Sequence, residues 1–363
     1  MEAKKTDLKS LSKDQIATFC QEIGLERYRA GQIFQWLYQK GAQTFDEMTN
    51  LPAKLREQLV DVAVINGVTP YQQQQSKDKT TKFLFRLHDE RLVESVLIPE
   101  FFDDGVADRL TVCVSSQVGC VFGCKFCATG KMGFFRNLTV GEIVDQVAFI
   151  NKIALEQFGK RITNIVYMGM GEPFHNYNSV IGSAAIITDK LSIGLSPKRI
   201  TISTVGLTKQ IIRFADENQP YNLAISLHAP VDAKRDKIMP INESLNLKAL
   251  KEALVHYHSI TKKPVTYEYL LFDGFNDGED DARNLSKIAS WIPSKVNIIM
   301  YNQVGGVTLQ RASEKRLNRF LKTLSANRTR ATVRRSRGDD IDAGCGQLAI
   351  RDGAPKGKTI GKD

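Results

Sequence analysis

Hydrophobic and polar positions along this chain follow two rhythms. Up to about residue 60 the apolar residues recur at helical spacing, as in Ile33, Phe34, Trp36 and Leu37, and Ser12-Lys-Asp-Gln15 carries a helix-start signature. Between Lys82 and Pro99 the period shortens to two. Phe83, Phe85 and Leu87 alternate before His88-Asp-Glu-Arg91, and Leu92, Val96 and Ile98 follow it, which predicts a β-hairpin.

Beyond residue 100 one theme repeats, a β-rich apolar run followed by a helical stretch. The predicted strands are Leu110–Ser115, Ile162–Met168, Arg199–Thr204, Asn222–Leu227, Val265–Phe272 and Val296–Met300. Strands alternating with helices fold into parallel βαβ units. Six such units close only part of a barrel, whose working residues sit in the loops at the strand C-termini. A seventh strand, Ala331–Arg335, is expected to extend the sheet. The predicted fold class is therefore α/β, a partial (β/α)6 barrel over 101–350, preceded by an N-terminal helical accessory domain over 1–63 and a connecting β-hairpin linker over 64–100. The polar, Gly-rich tail over 351–363 is expected to be disordered.

Length and composition change this picture little. A chain of 363 residues can bury one large core and a small accessory domain. Its apolar runs are strand-length, well short of the ~20 residues of a membrane span. Met1-Glu-Ala-Lys-Lys-Thr-Asp lacks the apolar stretch of a secretory signal. A cytosolic protein with no membrane partner is expected, and six cysteines with three committed to one loop fit a reducing compartment. Charge says more. Fifty Lys plus Arg against forty Asp plus Glu give a net charge of +10, which points to a polyanionic partner. Lys322, Arg328, Arg330, Arg334, Arg335 and Arg337 crowd one late segment. Neighbouring arginines on alternate faces of a strand cannot all be buried, so several must meet solvent or phosphate. Arg27, Arg29 and Lys40 could present further charge from the helical domain.

The chemistry concentrates in Gly119-Cys120-Val-Phe-Gly-Cys124-Lys-Phe-Cys127, a C-x3-C-x2-C spacing. Zinc knuckles, ferredoxin centres and inert buried thiols are the alternatives. Zinc wants a fourth ligand nearby, and Ala128-Thr-Gly-Lys-Met supplies none; a ferredoxin centre needs a fourth cysteine of its own. A 4Fe-4S cluster held by three thiolates leaves one iron without a protein ligand, able to chelate the amino and carboxylate groups of S-adenosylmethionine. One electron from the cluster can then cleave that molecule to a 5'-deoxyadenosyl radical. Phe126, beside the last cysteine, would shield the cluster from water.

Other candidates lie at the predicted strand ends. Tyr167-Met-Gly169-Met-Gly171-Glu172-Pro173 offers two glycines and a carboxylate able to bond a ligand ammonium. Ser203, Ser226 and His228 offer hydroxyls and an imidazole where a nucleoside needs partners, and Asn302 an amide. Two cysteines stand apart from the cluster loop: Cys113, at a strand end, and Cys345, flanked by glycines in Asp339-Asp-Ile-Asp-Ala-Gly-Cys-Gly-Gln347. An exposed thiol beside cationic neighbours is a candidate nucleophile.

Cys113-Val-Ser-Ser-Gln-Val-Gly-Cys120, the cluster loop, Gly169-Met-Gly-Glu-Pro, Ser226-Leu-His-Ala-Pro and Arg337-Gly-Asp-Asp-Ile-Asp-Ala-Gly-Cys345-Gly-Gln-Leu resemble, in order and spacing, the RlmN-type dual-specificity RNA methyltransferases. The resemblance runs from about Leu8 to Ala349. It implies methylation of carbon 2 of an adenosine in 23S rRNA, near the peptidyl transferase centre, and of the adenosine 3' of the anticodon in tRNAs. It further implies that Cys120, Cys124 and Cys127 hold one 4Fe-4S cluster, and that Gly171, Glu172, Ser203, Ser226, Leu227, His228 and Asn302 bind S-adenosyl-L-methionine. Cys345 becomes the methyl carrier, Cys113 its transient disulfide partner and Glu94 the proton acceptor. Two S-adenosylmethionine molecules per turnover, an external electron donor, a thiol reductant and a monomeric enzyme complete the expectation. Gln303 stands where many members have proline, and Gly344 where alanine is common. The sister family Cfr, which methylates carbon 8, shares every cysteine; Arg337-Gly-Asp339-Asp340 favours the RlmN side.

Overall fold

The computed structural model describes residues 5–334 and 336–350. Arg335 and the tail 351–363, for which disorder is expected, lie outside the described residues. The N-terminal unit begins with β1 (Thr6–Asp7), α1 (Lys13–Glu22), α2 (Tyr28–Gln35), α3 (Ala53–Val62) and β2 (Ala63–Val64), with β1 and β2 paired in parallel. Helix α1 starts at the anticipated signal. Ser12 Oγ accepts the Gln15 N–H at 3.2 Å, and the Gln15 side chain accepts the Ser12 N–H at 2.8 Å. Ile33, Phe34 and Leu37 are buried, so the helical period was a core face.

Lys9 anchors this unit to the rest. Its ammonium, wholly buried, lies 2.8 Å from a carboxylate oxygen of Asp145. Asp145 also accepts the Val68 N–H at 3.1 Å, and Tyr38 donates to the Lys9 carbonyl at 3.0 Å.

Next come β3 (Thr69–Gln75), β4 (Thr81–Arg86), β5 (Leu92–Phe101) and β6 (Ala107–Cys113). Strands β4 and β5 form the anticipated hairpin. It does not stand apart, because β5 pairs antiparallel with β6 (Val96 opposite Cys113) and the four strands run into the barrel sheet. Strand β3 was not read from the sequence: Thr-Pro-Tyr-Gln-Gln-Gln-Gln is exposed throughout and has no apolar alternation, which only an edge strand tolerates.

After β6 the chain passes through β7 (Gln117–Gly119), α4 (Ala128–Met132) and β8 (Phe134–Asn137), where β7 and β8 pair as a clamp around the cysteine loop. The repeating units follow: α5 (Val140–Phe158), β9 (Asn164–Tyr167), α6 (Tyr177–Thr188), β10 (Ile200–Thr204), α7 (Thr208–Asp216), β11 (Asn222–Ser226), α8 (Asp232–Ile238), α9 (Leu247–Thr261), β12 (Val265–Leu271), α10 (Glu279–Ala289), β13 (Ser294–Met300), α11 (Glu314–Ala326) and β14 (Ala331–Arg334). One ten-stranded sheet results, in the order β14-β13-β12-β11-β10-β9-β6-β5-β4-β3. Strands β6 and β9 to β14 are parallel to one another. The six predicted barrel strands and the seventh extending the sheet are thus present in an α/β fold that closes only partway. Among the described residues no helix is long and apolar enough to cross a membrane.

Candidate functional site

The C-terminal ends of the parallel strands surround a cavity of about 900 Å³, counting the space at its mouth. Cys120, Cys124 and Cys127 line it together with Gly169, Gly171, Glu172, Ser203, Ser226, His228 and Cys345. Side chains from the second, third and fourth barrel strands therefore meet the cysteine loop as the βαβ reading required.

The cysteine loop owes its shape to glycines. Gly119 has φ +74°, and a Cβ there would sit 1.8 Å from the Gly133 carbonyl oxygen, so the clamp closes only around glycine. Cys120 N–H donates to that carbonyl at 2.9 Å and Cys127 N–H to the Cys124 carbonyl at 3.1 Å. Burial pushes the Cys120 thiol up to about 12. It pushes Cys124 well above the usual range, helped by the neighbouring Cys120 and Cys127. Among the described residues no three His, Cys, Asp or Glu side chains converge on a single-ion site. Three thiols that face one cavity, Cys124 buried and Cys120 and Cys127 half-buried, and that repel as thiolates suit a cationic group large enough to give each its own metal atom. A 4Fe-4S cluster is such a group; zinc, gathering its ligands at one point, is not.

Both Gly-x-Gly glycines line the cavity and also permit close approaches within the protein. Gly171 has φ +98°, and its Cβ would lie 2.5 Å from the Gln117 side chain; at Gly169 a Cβ would meet Ser115 and Val114 at 2.7–2.8 Å. They let β9 run close under the chain that enters the cysteine loop. Glu172 is buried, with Oε1 accepting the Phe174 N–H at 3.1 Å and Oε2 the Val205 N–H at 3.0 Å. Burial outweighs these bonds and raises its carboxyl to about 7. Ser203 and Ser226 hydroxyls lie 3.2 Å apart.

His228 has φ 55°, held by Asn276, whose Nδ2 donates to its carbonyl at 2.7 Å. The Leu270 N–H donates to His228 Nδ1 at 3.1 Å. The neutral ring therefore carries its proton on Nε2. Burial, then the nearby Arg235, lowers its pKa to about 3, so it stays neutral near pH 7. Phe126 packs edge-on against this imidazole, with centroids 4.8 Å apart.

Leu227 and Asn302 stand outside the cavity lining. Leu227 is fully buried and donates its N–H to the Glu268 carbonyl at 3.0 Å. Asn302 accepts the Ser336 hydroxyl at 2.6 Å and packs under Gly344, where a Cβ would sit 1.9 Å from its Nδ2. The glycine in place of alanine at 344 is thus a close approach. Glu94 borders a neighbouring cavity, with Lys82 at 3.3 Å and the Ala349 N–H donating to it at 2.9 Å. A strap, 344–350, lies between Glu94 and the cysteine loop, where Ala128 N–H donates to the Gly346 carbonyl at 2.7 Å.

Cys113 and Cys345 line one further small cavity with Met168 and Arg334. Burial first, then Cys345 beside it, push the Cys113 thiol up to about 12, against the pull of Arg334. Cys345 also borders the three-cysteine cavity, so it touches both spaces.

Sequence reasoning missed Arg235 and Glu268. Arg235, almost wholly buried on α8, donates to the carbonyls of Val205 at 2.6 Å, Leu227 at 3.2 Å and Ser226 at 3.3 Å, tying together the ends of β10 and β11. A lone arginine in Asp-Ala-Lys-Arg reads as surface charge. Its only sequence signal is its place just after a barrel strand.

A partial barrel with a three-cysteine loop after its first strand defines a radical S-adenosylmethionine enzyme, and residues 114–285 match the Radical SAM superfamily model. Residues 6–65 match the model for the ribosomal RNA large subunit methyltransferase N-terminal domain. The chain is 51% identical to the probable dual-specificity RNA methyltransferase RlmN of Salinibacter ruber, over 95% of this chain and 94% of that protein. It is 41% identical to the dual-specificity RNA methyltransferase RlmN of Anaeromyxobacter sp., over 96% and 92%. The crystal structure of a radical SAM methyltransferase from Sphaerobacter thermophilus superposes with a TM-score of 0.87 at 42% identity, covering 94% of this chain and 99% of that one. The chain belongs to the RlmN family of dual-specificity RNA methyltransferases.

Proposed function

We propose that this chain methylates carbon 2 of adenosine in 23S rRNA, near the peptidyl transferase centre, and of the adenosine 3' of the anticodon in tRNAs. The reading is carried by one observation, that Cys345 borders both the three-cysteine cavity and the cavity it shares with Cys113. Carbon 2 of adenine lies between two ring nitrogens and is too electron-poor to attack a sulfonium methyl. A two-electron transfer to the protein followed by radical chemistry avoids that difficulty.

Cys120, Cys124 and Cys127 would hold one 4Fe-4S cluster, and Gly171, Glu172, Ser203, Ser226, Leu227, His228 and Asn302 would contribute to S-adenosylmethionine binding. When bound, these groups supply the methyl and the hydrogen-abstracting radical, at a cost of two S-adenosylmethionine molecules per turnover and an electron from an external donor. Cys345 takes the methyl as a thioether and later joins it to the base. Glu94, once the strap carrying Cys345 shifts, takes the carbon 2 proton. The Cys113 thiolate attacks the Cys345 sulfur and a disulfide forms; the bond from that sulfur to the new carbon breaks, leaving its electron pair on the carbon, which takes up a proton to become the methyl group. A thiol reductant of the cytosol returns two electrons to the pair. The enzyme is read as a monomer.

The test is anaerobic reconstitution with S-adenosylmethionine, a reductant and RNA, followed by nucleoside digestion. Formation of 2-methyladenosine with 5'-deoxyadenosine is expected. Production of 8-methyladenosine alone would overturn the regiochemistry, and absence of 5'-deoxyadenosine the radical reading.

A further inference from the structure

The interior of a closed parallel barrel is packed with branched apolar side chains. Here the lower half of the lumen, toward the strand N-termini, is a polar space of about 1990 Å³, counting its open end. Thr111, Thr201, Thr266, Asn297 and Thr332 point into it from β6, β10, β12, β13 and β14. Its rim carries Arg109, Lys198, Arg199, Lys295 and Arg337, all exposed. Its carboxylates are Glu100, 3.8 Å from Arg109, and Glu268.

Glu268 is the second observation. It is 5% exposed and stands midway up β12, in the wall of both the lower lumen and the three-cysteine cavity. Asn297 Nδ2 donates to its Oε1 at 2.9 Å, and the Thr332 hydroxyl fixes Asn297 from behind at 2.7 Å. Oε2 is buried and has no hydrogen-bond partner. A buried carboxylate oxygen without a donor is costly unless a ligand brings one. The third observation is continuity. Met168, Arg334 and Arg337 wall the lower lumen and also the cavity between Cys113 and Cys345. From the opposite side the strap closes the approach, pinned by Ala349 N–H to Glu94 at 2.9 Å and by the Thr129 hydroxyl to the Leu348 carbonyl at 2.6 Å.

We propose that the RNA reaches the paired thiols through this lower lumen: rim cations hold the phosphates flanking the target nucleotide, the unstacked base passes up the lumen, and Glu268 Oε2 accepts a hydrogen bond from its exocyclic amine. The proposal rests on the RNA reading above. It assigns purine selection to a carboxylate, which accepts from a 6-amino group and rejects a 6-oxo group by leaving two acceptors face to face. Only an unpaired base can present its edge this way, so loops are favoured over duplexes.

The experiment measures binding of two RNA stem-loops to the reconstituted holoenzyme, one with adenine and one with unsubstituted purine at the target position, between low and moderate salt. The adenine RNA is expected to bind about tenfold more tightly, the usual worth of a hydrogen bond to a buried charge. Glu268→Met, which keeps side-chain length and removes the acceptor, should bind the two RNAs alike. Lys198→Glu combined with Lys295→Glu, both on the surface and harmless to folding, should weaken both RNAs equally. The same pair should flatten the salt dependence by about two units of slope. Equal binding of adenine and purine RNA by the wild type would overturn the role of Glu268. An unchanged salt slope in the charge-reversed variant would overturn the route. If the wild type bound neither RNA, the RNA reading itself would fall, and this inference with it.

Discussion

At the scale of single residues, the proposed chemistry rests on two thiols, Cys113 and Cys345. Cys345→Ala should abolish methyl transfer while iron and sulfide content stay at wild-type levels, because Cys345 is outside the cluster loop. Cys113→Ala should accumulate RNA-linked protein visible as a shifted band on a denaturing gel; turnover at the wild-type rate would remove Cys113 from the mechanism. The thiol of Cys113, raised to about 12, lies far above a working pH of 7 to 8. Its thiolate is then a small fraction that grows with pH, so release of the RNA adduct should quicken about tenfold per pH unit across that range. A rate independent of pH in a rapid-quench measurement would show that another step limits release. That Cys120, Cys124, Cys127, Gly171 and Glu172 share one cavity was legible because each sits in a short motif whose spacing has chemical meaning. Glu268 was not. It is the one carboxylate in Val-Thr-Tyr-Glu-Tyr-Leu-Leu, a run whose other residues are apolar, aromatic or hydroxylated, and only the fold reveals that its face of β12 looks into a hollow.

At the scale of elements, charge pairing adds to apolar contact in fixing one junction. The β4–β5 turn docks onto the start of α5 through Arg136, which donates to both oxygens of Asp89 at 2.7 and 2.9 Å and to both oxygens of Glu142 at 2.8 Å. Glu142 is wholly buried and also caps α5 by accepting the Thr139 N–H at 2.9 Å. Arg136→Ala would leave that carboxylate only the Thr139 N–H and the His88 ring, 3.2 Å from Oε1, and a loss on the order of 3 kcal/mol in urea denaturation is expected. Asp89 supplies a pH signature. Partial burial alone would raise its carboxyl, but hydrogen bonds from Arg136 and Arg91 hold it well below the usual range. Its folded-state pKa being depressed, its contribution is present above about pH 4 and fades as the pH falls further. The Arg136→Ala variant should therefore lose less relative to wild type at pH 3 than at pH 7. The barrel strands were read to within three residues at either end because their apolar and β-branched runs are short and recur between helical stretches. The β7–β8 clamp was missed because three or four residues without alternation leave no pattern to detect.

Across the whole molecule, the helical unit and the barrel meet at the Lys9–Asp145 pair, which no sequence pattern announces: a lysine at residue 9 reads as solvated. Gly141 makes the contact possible, since a Cβ there would lie 2.4 Å from the Lys9 side chain and 2.7 Å from its carbonyl oxygen. Lys9→Met should leave the buried Asp145 carboxyl without its cation, with the Val68 N–H still donating to it, a loss of about 3–5 kcal/mol. Adding Asp145→Asn removes that carboxyl while keeping an acceptor for Val68, and most of the loss should return. Trp36, in the helical unit, and Trp291, in the barrel, allow each part to be followed separately in single-tryptophan variants. With Lys9 in place the two fluorescence transitions should coincide in denaturant, because the buried pair couples the units. In Lys9→Met the Trp36 transition should come first, and in the double variant the two should draw together again. Coincident transitions in all three proteins would mean that apolar packing alone joins the helical unit to the barrel.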